Sequence, residues 1–398
     1  MRLLCTDTGN GLKLEVFTDP ATTPPYAILS HRWGSDEVLY GDLMSEALKE
    51  GPRFNKILRC CERARKDGYA YVWIDTCCID QKSSAELSES INSMFMWYAN
   101  AAVCYAYLQD VSSFTDNEDD TSAFRDSIWF TRGWTLQELI APFDVIFLTE
   151  TWDLIGDKRA LAERIESITN INCGVLRGGI DLHDVSIAEK MSWAANRRTT
   201  KVEDRAYSLL GLFGVNMPTI YGEGQRAFQR LQQEIINQSN DHSIFAWEAE
   251  PTMFNTTAKA CGLLAPSPDA FAKSGGTVTI PFVQFASSWG YKQTLTDIQK
   301  TNAGFRLEVP IIEGTQHIPR SDGCVMVIAC KKPLDTKIEP PSYHTLGIVL
   351  QLDSEGYYNR MANTRLLDAD QLTTFKVRYR VEQIDIRGQD TRVRADVK

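Results

Sequence analysis

Tyr26-Ala-Ile-Leu-Ser30, continued by His31-Arg32-Trp33, is the stretch on which the fold turns. Pro24 and Pro25 precede the apolar run and a polar turn follows it, so the five residues predict a short buried strand. Outward from it, helix and strand patterns alternate. Phe54, Ile57, Leu58, Cys61 and Ala64 recur at helical spacing, and Gly68 supplies a stop. Tyr71-Val-Trp-Ile-Asp75 predicts a second strand. Leu87, Ile91, Met94, Phe95 and Tyr98 make a second helical stripe, and residues 102–108 a third strand. An acidic, serine-rich loop over 112–120 leads to a helix over 128–140, stopped by Pro142, and to a fourth strand over 144–148. Strands separated by helices are parallel, because parallel neighbours need crossover connections. Ligands of such sheets bind outside the carboxyl ends of the strands. Here those ends are Ser30 to Trp33, Asp75 to Cys77, and the loop after Leu108.

The pattern turns helical beyond residue 156, with stripes on Leu161, Ile165 and Ile168, on residues 188–195, on Ala206, Leu209, Leu210 and Phe213, and on Ala227, Phe228, Leu231 and Ile235. From Gly262 onward it changes again. Residues 277–285, 305–309, 323–330, 345–352 and 373–383 are strand-like runs between Gly, Pro, Asp and Asn turns, which predicts an antiparallel sandwich or barrel. The expected organisation is an α/β core over 1–155, a helical extension over 156–250 and a β-rich domain over 251–398, with the last boundary near 249–255.

A chain of 398 residues, 43% hydrophobic and 24% charged, is too long for one core and too ordinary in composition to be disordered. Its net charge of −10 is uneven. Residues 1–250 hold 24 basic and 37 acidic side chains, and residues 251–398 hold 18 and 15. So acidic a first part, without a Lys/Arg stripe, argues against nucleic acid as a partner. No run approaches a membrane span in length, and the start of the chain lacks a secretory signal. The ten cysteines include the adjacent pairs Cys60–Cys61 and Cys77–Cys78, a spacing unsuited to structural disulfides or zinc knuckles. The expectation is a reducing compartment, the cytosol, with no metal site.

Three blocks carry a resemblance: YAILSHRWG (26–34), YVWIDTCCIDQ (71–81) and RGWTLQELIAP (132–142). In that order they resemble the heterokaryon-incompatibility (HET) domain of fungal proteins. KMSWAANR (190–197), EDRAY (203–207) and IYGEG (220–224) look like its helical continuation. The resemblance covers about residues 1–250; the β-rich part carries no motif of its own. It implies a role in non-self recognition and programmed cell death, and a distant relation to the Toll/interleukin-1-receptor (TIR) domain, a flavodoxin-like fold. Some TIR domains cleave NAD⁺. By that relation Trp134-Thr-Leu-Gln-Glu138-Leu139 is similar to the plant TIR segment holding the catalytic Glu, although Thr135 stands where Cys is common. Ser30-His31-Arg32 and Trp73-Ile-Asp75 similarly resemble the ends of the first two TIR strands.

The chemistry is consistent with these residues. Cleaving a nicotinamide–ribose bond develops positive charge on the sugar, and the leaving group departs neutral without needing a proton. One carboxylate beside the ribose therefore suffices. Glu138 and Trp134, four residues apart, would put a carboxylate and a flat stacking surface on one helix face. Ser30, His31, Arg32, Asp75 and Trp134 are the candidate nucleotide contacts, with Arg32 facing pyrophosphate and Asp75 facing ribose hydroxyls; NAD⁺ is substrate and no cofactor is expected. Trp33, His183 and His242 read as packing or structural residues, Cys77 and Cys78 as buried thiols, and Arg197, Arg198 and Lys201 as a solvated link. Besides NAD⁺ or a related nucleotide, the expected partners are a second copy on activation and an upstream sensor. The competing expectation is a non-enzymatic TIR-like death-signalling module that acts by self-association.

Overall fold

The computed structural model describes residues 1–9, 11–45, 51–114, 118–248, 260–290, 297–313, 323–333, 343–361, 366–369 and 379–387. Two compact units emerge, Met1–Asp181 with Arg197–Gly222, and Leu182–Asn196 with Glu223–Lys398. The helical stretch 156–250 is thus shared between them. The expected boundary at 249–255 lies outside the described residues.

The first unit is built on seven strands, β1 (Arg2–Cys5), β2 (Leu14–Val16), β3 (Tyr26–His31), β4 (Tyr71–Trp73), β5 (Val103–Tyr107), β6 (Val145–Leu148) and β7 (Leu154–Asp157). Their order in the sheet is β2-β1-β4-β3-β5-β6-β7. The middle four are parallel, as the alternating pattern requires. Ala27 pairs with Val72 on one side and Val103 on the other, and Cys104 pairs with Val145. Antiparallel strands flank them, β1 against β4 and β7 against β6. All six residues of β3 are buried. Covered on both faces and both edges, a central parallel strand has no reason to alternate polar with apolar residues. Helix α1 (Asn55–Lys66) buries Ile57, Cys60, Cys61 and Ala64. Helix α2 (Ser84–Ala99) starts where the Ser83 hydroxyl accepts the Glu86 amide at 3.3 Å, and buries Ile91, Met94 and Tyr98.

Two local expectations need correction here. The helix anticipated over 128–140 is broken into a 3₁₀ turn, Ile128–Thr131, and α3 (Thr135–Ile140). The break has a tertiary cause. The Arg198 amide bonds to the Thr131 carbonyl at 2.7 Å, and the Gly133 amide to the Arg198 carbonyl at 2.8 Å. Only glycine permits this approach, since a Cβ at 133 would lie 2.4 Å from Thr199 Cγ2. The acidic loop over 112–120 is also shorter than expected, because Glu118–Arg125 is helical; residues 115–117 lie outside the described residues.

The second unit contains α4 (Ile187–Ala194), α5 (Arg226–Gln238) and a closed five-stranded barrel. Its strands are β8 (Gly304–Glu313), β9 (Cys324–Pro333), β10 (Tyr343–Leu352), β11 (Tyr358–Met361) and β12 (Tyr379–Arg387). They run in the circle β8-β12-β11-β10-β9, closed where Ile311 pairs with Met326. The pairings are antiparallel except β11 with β12, which is parallel at Tyr358 and Ile386. Of the expected run 373–383, residues 373–378 lie outside the described residues. The strand anticipated over 277–285 is corrected: it is extended only at Val278–Thr279, and after Pro281 it becomes the helix Phe282–Ser288. That helix buries Phe285, which joins Trp289, Ile312, Val325 and Val327 in one apolar cluster. Clustering against the barrel strands outweighs the β propensity of the local sequence. Among the described residues no helix is long and apolar enough to cross a membrane.

Candidate active site

The carboxyl ends of the four parallel strands lie at one edge of the sheet, and a cavity of about 310 Å³ opens there within the first unit. That volume is at the lower end of the usual range for small-molecule sites. Glu138, His31, Asp75 and Trp134 all line it. Ser30 stands just behind, and Arg32, half-buried at the same strand end, does not line the cavity.

Helix α3 delivers Glu138. It is a short helix whose residues 135–139 are all buried, and Glu138 is only 5% exposed. The Ser30 hydroxyl donates to Glu138 Oε2 and accepts from Trp129 Nε1 at 2.9 Å. Burial, and then the charge of Asp75, push the Glu138 carboxyl up to about 8; the bond from Ser30 and the charge of Arg132 oppose that rise. An empty site therefore holds Glu138 protonated at neutral pH. Asp75, at the start of a single helical turn after β4, is pushed up to about 6 by burial, against hydrogen bonds from Trp33 and the Thr76 amide. Two carboxyls with pKa values held apart in one cavity allow one to be charged while the other keeps its proton.

His31 completes this wall. Its Nε2 lies 3.6 Å from Asp75 Oδ1, but burial, reinforced by Lys56 and Arg132, holds the imidazole well below its ordinary pKa, so the contact is not an ion pair. Both ring nitrogens of His31, Asp75 Oδ1 and Gln81 Nε2 are buried without a hydrogen-bond partner among the described residues. Unmet donors and acceptors converging on a cavity are costly for a fold to keep and suit a polar ligand.

The structure also brings in residues that sequence reasoning passed over. Trp33, expected to be packing, is 39% exposed, lines the cavity and donates its indole N–H to Asp75 Oδ2 at 2.7 Å. Segment Arg197–Gly222, of which Arg197, Arg198 and Lys201 were expected to form a solvated link, contributes Thr200, Lys201, Asp204 and Tyr221 to the lining. Arg197 is buried, donating to the Arg132 carbonyl at 3.0 Å and to Thr135 Oγ1 at 3.2 Å, and so ties this segment to the start of α3. The Tyr221 hydroxyl donates to Asp204 Oδ1 at 2.9 Å, and Trp134 bonds the same carboxyl. A signal existed in the EDRAY and IYGEG blocks, but no local pattern says that they fold back onto the sheet edge.

The remaining candidates are quiet. A hydrogen bond with Cys78, and then burial, raise the Cys77 thiol well above its usual pKa, so it is no ready nucleophile. His242 accepts from the Ala329 amide at 3.3 Å in the second unit, and burial lowers it to about 4. Among the described residues no three His, Cys, Asp or Glu side chains are grouped to hold a metal ion.

The first unit is thus an α/β domain whose ligand-sized cavity gathers acids and polar groups from strand ends and one helix. Residues 26–120 match the family model described as heterokaryon incompatibility protein (HET), which spans β3 to β5 with α1 and α2 and ends before Glu138. Residues 226–327 match a domain of unknown function (DUF8212). The vegetative incompatibility protein HET-E-1 of Podospora anserina is 47% identical over 244 residues, 59% of this chain and 18% of that protein. The chain is thus similar to heterokaryon-incompatibility (HET) domain proteins, over residues 26–120 by the family model and over 244 residues by HET-E-1. It spans less than a fifth of the length of the relative it matches. No solved structure gives a significant match.

Proposed function

We propose that this chain is a cell-death effector of vegetative incompatibility and that its first unit acts by cleaving the nicotinamide–ribose bond of NAD⁺. The incompatibility part of this reading is supported by the similarity to HET-E-1. The chemical part is supported above all by Glu138, a buried carboxyl that is hydrogen-bonded by Ser30 and yet lines a cavity at the carboxyl edge of a parallel sheet. The order of the parallel strands, second-first-third-fourth, agrees with a TIR-like, flavodoxin-type sheet, in which ligands bind where the order reverses.

In this mechanism the cationic pyridinium enters beside Glu138 and draws the carboxyl to its anionic form, releasing a proton. Trp134 presents its ring to the base, and Asp75 with His31 takes the ribose hydroxyls. As the glycosidic bond breaks, the electron pair leaves with nicotinamide, and the sugar cation that forms faces the Glu138 carboxylate. Water then adds to the sugar carbon and gives up a proton, which returns to the Glu138 carboxylate. A non-enzymatic signalling module would need none of these polar groups unpaired over a cavity. The test is nicotinamide release by the purified full chain at high concentration. Loss of one preorganised charge costs ~10²–10³ in rate, so Glu138→Gln should reduce release by about that factor while the protein stays folded. Toxicity in cells that survives Glu138→Gln, with no nicotinamide from either protein, would favour the signalling module instead.

A further inference from the structure

The cavity that holds Glu138 and Asp75 is also lined by basic side chains. Lys201 and Thr200 reach it from segment Arg197–Gly222, and Arg132 from the turn before α3. Among the described residues neither Lys201 nor Arg132 is in an ion pair. Lys201 Nζ instead lies 3.8 Å from the centroid of the Tyr221 ring, whose hydroxyl is anchored on Asp204. Asp204 feels the Lys201 charge, but its carboxyl is bonded to Tyr221 and Trp134. Two cations that make no ion pair among the described residues, lining a cavity in the strongly acidic part of the chain, are poised for an anion from outside.

We propose that Arg132, Thr200 and Lys201 form an anion subsite, which takes the phosphate of a nucleotide whose ribose lies over Glu138, so that the site selects nucleotides over nucleosides. This rests on reading the cavity as the site of nicotinamide–ribose cleavage. The polarity is fixed by charge. A phosphate would be repelled from the Asp75 wall, whereas the unmet atoms of His31, Asp75 and Gln81 suit the uncharged hydroxyls of a sugar. Arg132 supplies a planar fork, Lys201 a mobile point charge and Thr200 a hydroxyl donor, a combination matched to the oxygens of a phosphate. The role that the sequence suggested for Arg32 passes in this account to residues that line the cavity.

Titration calorimetry of the full chain with nicotinamide mononucleotide and with nicotinamide riboside, which differ only by the phosphate, tests the proposal. Charge-assisted bonds of this kind predict the nucleotide to bind roughly 10- to 100-fold more tightly at low salt. The advantage should shrink with added salt, since Lys201 is exposed. Lys201→Gln should remove most of the difference between the two ligands, and Lys201→Glu all of it, with the melting temperature of each variant checking that it folds. Equal affinities in the wild type, binding of neither ligand, or an advantage that survives both Lys201→Glu and Arg132→Gln would overturn the subsite. Nicotinamide release followed in the same samples separates the two claims. A phosphate-dependent affinity without release keeps the subsite and removes the cleavage reading, and release without phosphate dependence does the reverse.

Discussion

Because the folded protein holds the Glu138 carboxyl at about 8, it keeps a proton there across a pH range in which the unfolded chain has lost it. The sign follows directly. The unfolded pKa is near the ordinary carboxylate value, so this group's contribution to stability is full below about pH 4 and declines as pH rises to about 8. Glu138→Gln is uncharged at every pH and should escape that decline. Its melting temperature relative to wild type should differ little at pH 5 and rise steadily towards pH 9; a difference that stays flat would remove the buried protonated carboxyl. For catalysis the direction is opposite, since the carboxylate is the active form. kcat/KM for nicotinamide release should climb with pH through about 8 and level off above it. Ser30 positions Glu138 by donating to it, a bond that favours the charged form. Ser30→Ala should therefore move the rise in kcat/KM to higher pH, and should cost ~1–3 kcal/mol of stability because the Trp129 N–H loses its buried acceptor. A lower rate with an unmoved pH profile would assign Ser30 to structure alone.

Helix α3 shows what a sequence discloses at the level of one element. Its apolar spacing and the stop at Pro142 were legible, and both Trp134 and Glu138, singled out in sequence, line the cavity. The interruption before it was not, because its cause is the backbone of Arg198, far along the chain, bonded to Thr131 and Gly133 on either side of Arg132. Periodicity reports which face is buried and is silent about a backbone arriving from elsewhere. Gly133→Ala should force that approach apart, destabilising the first unit by ~1–3 kcal/mol and lowering nicotinamide release by shifting α3. An unchanged melting temperature would mean that Thr199 yields freely. The four parallel strands were legible for a simpler reason. Each is a short apolar run between breakers, and burial of both sheet faces leaves it no other reading. Residues 277–285 misled for the same reason: they look like such a run, yet Pro281 and the burial of Phe285 turn most of it into a helix.

At the scale of the whole molecule, the chain crosses between its two units before either is finished. Leu182–Asn196 belongs with the second unit and Arg197–Gly222 with the first. This order explains why part of the cavity was invisible in sequence. Strand ends could be ranked as ligand positions by rule, but Lys201, Asp204 and Tyr221 lie in a helical stretch that local pattern assigns to no sheet. It also predicts the behaviour of a truncated chain. A protein ending at residue 222 keeps the cavity residues but strands α4, exposing the otherwise buried Ile187, Ala188, Met191 and Trp193. It should bind an apolar dye and aggregate, as read by dye fluorescence and size-exclusion chromatography; a monomer with no dye binding would show that α4 needs no partner. Above these structural predictions stands the claim about chemistry. Its most direct test is nicotinamide release from NAD⁺ by the concentrated full-length protein, wild type beside Glu138→Gln. The account predicts release from the wild type and a loss of ~10²–10³ in the variant, with folding retained. Equal release from both proteins, or none from the wild type even when artificially clustered, would contradict it.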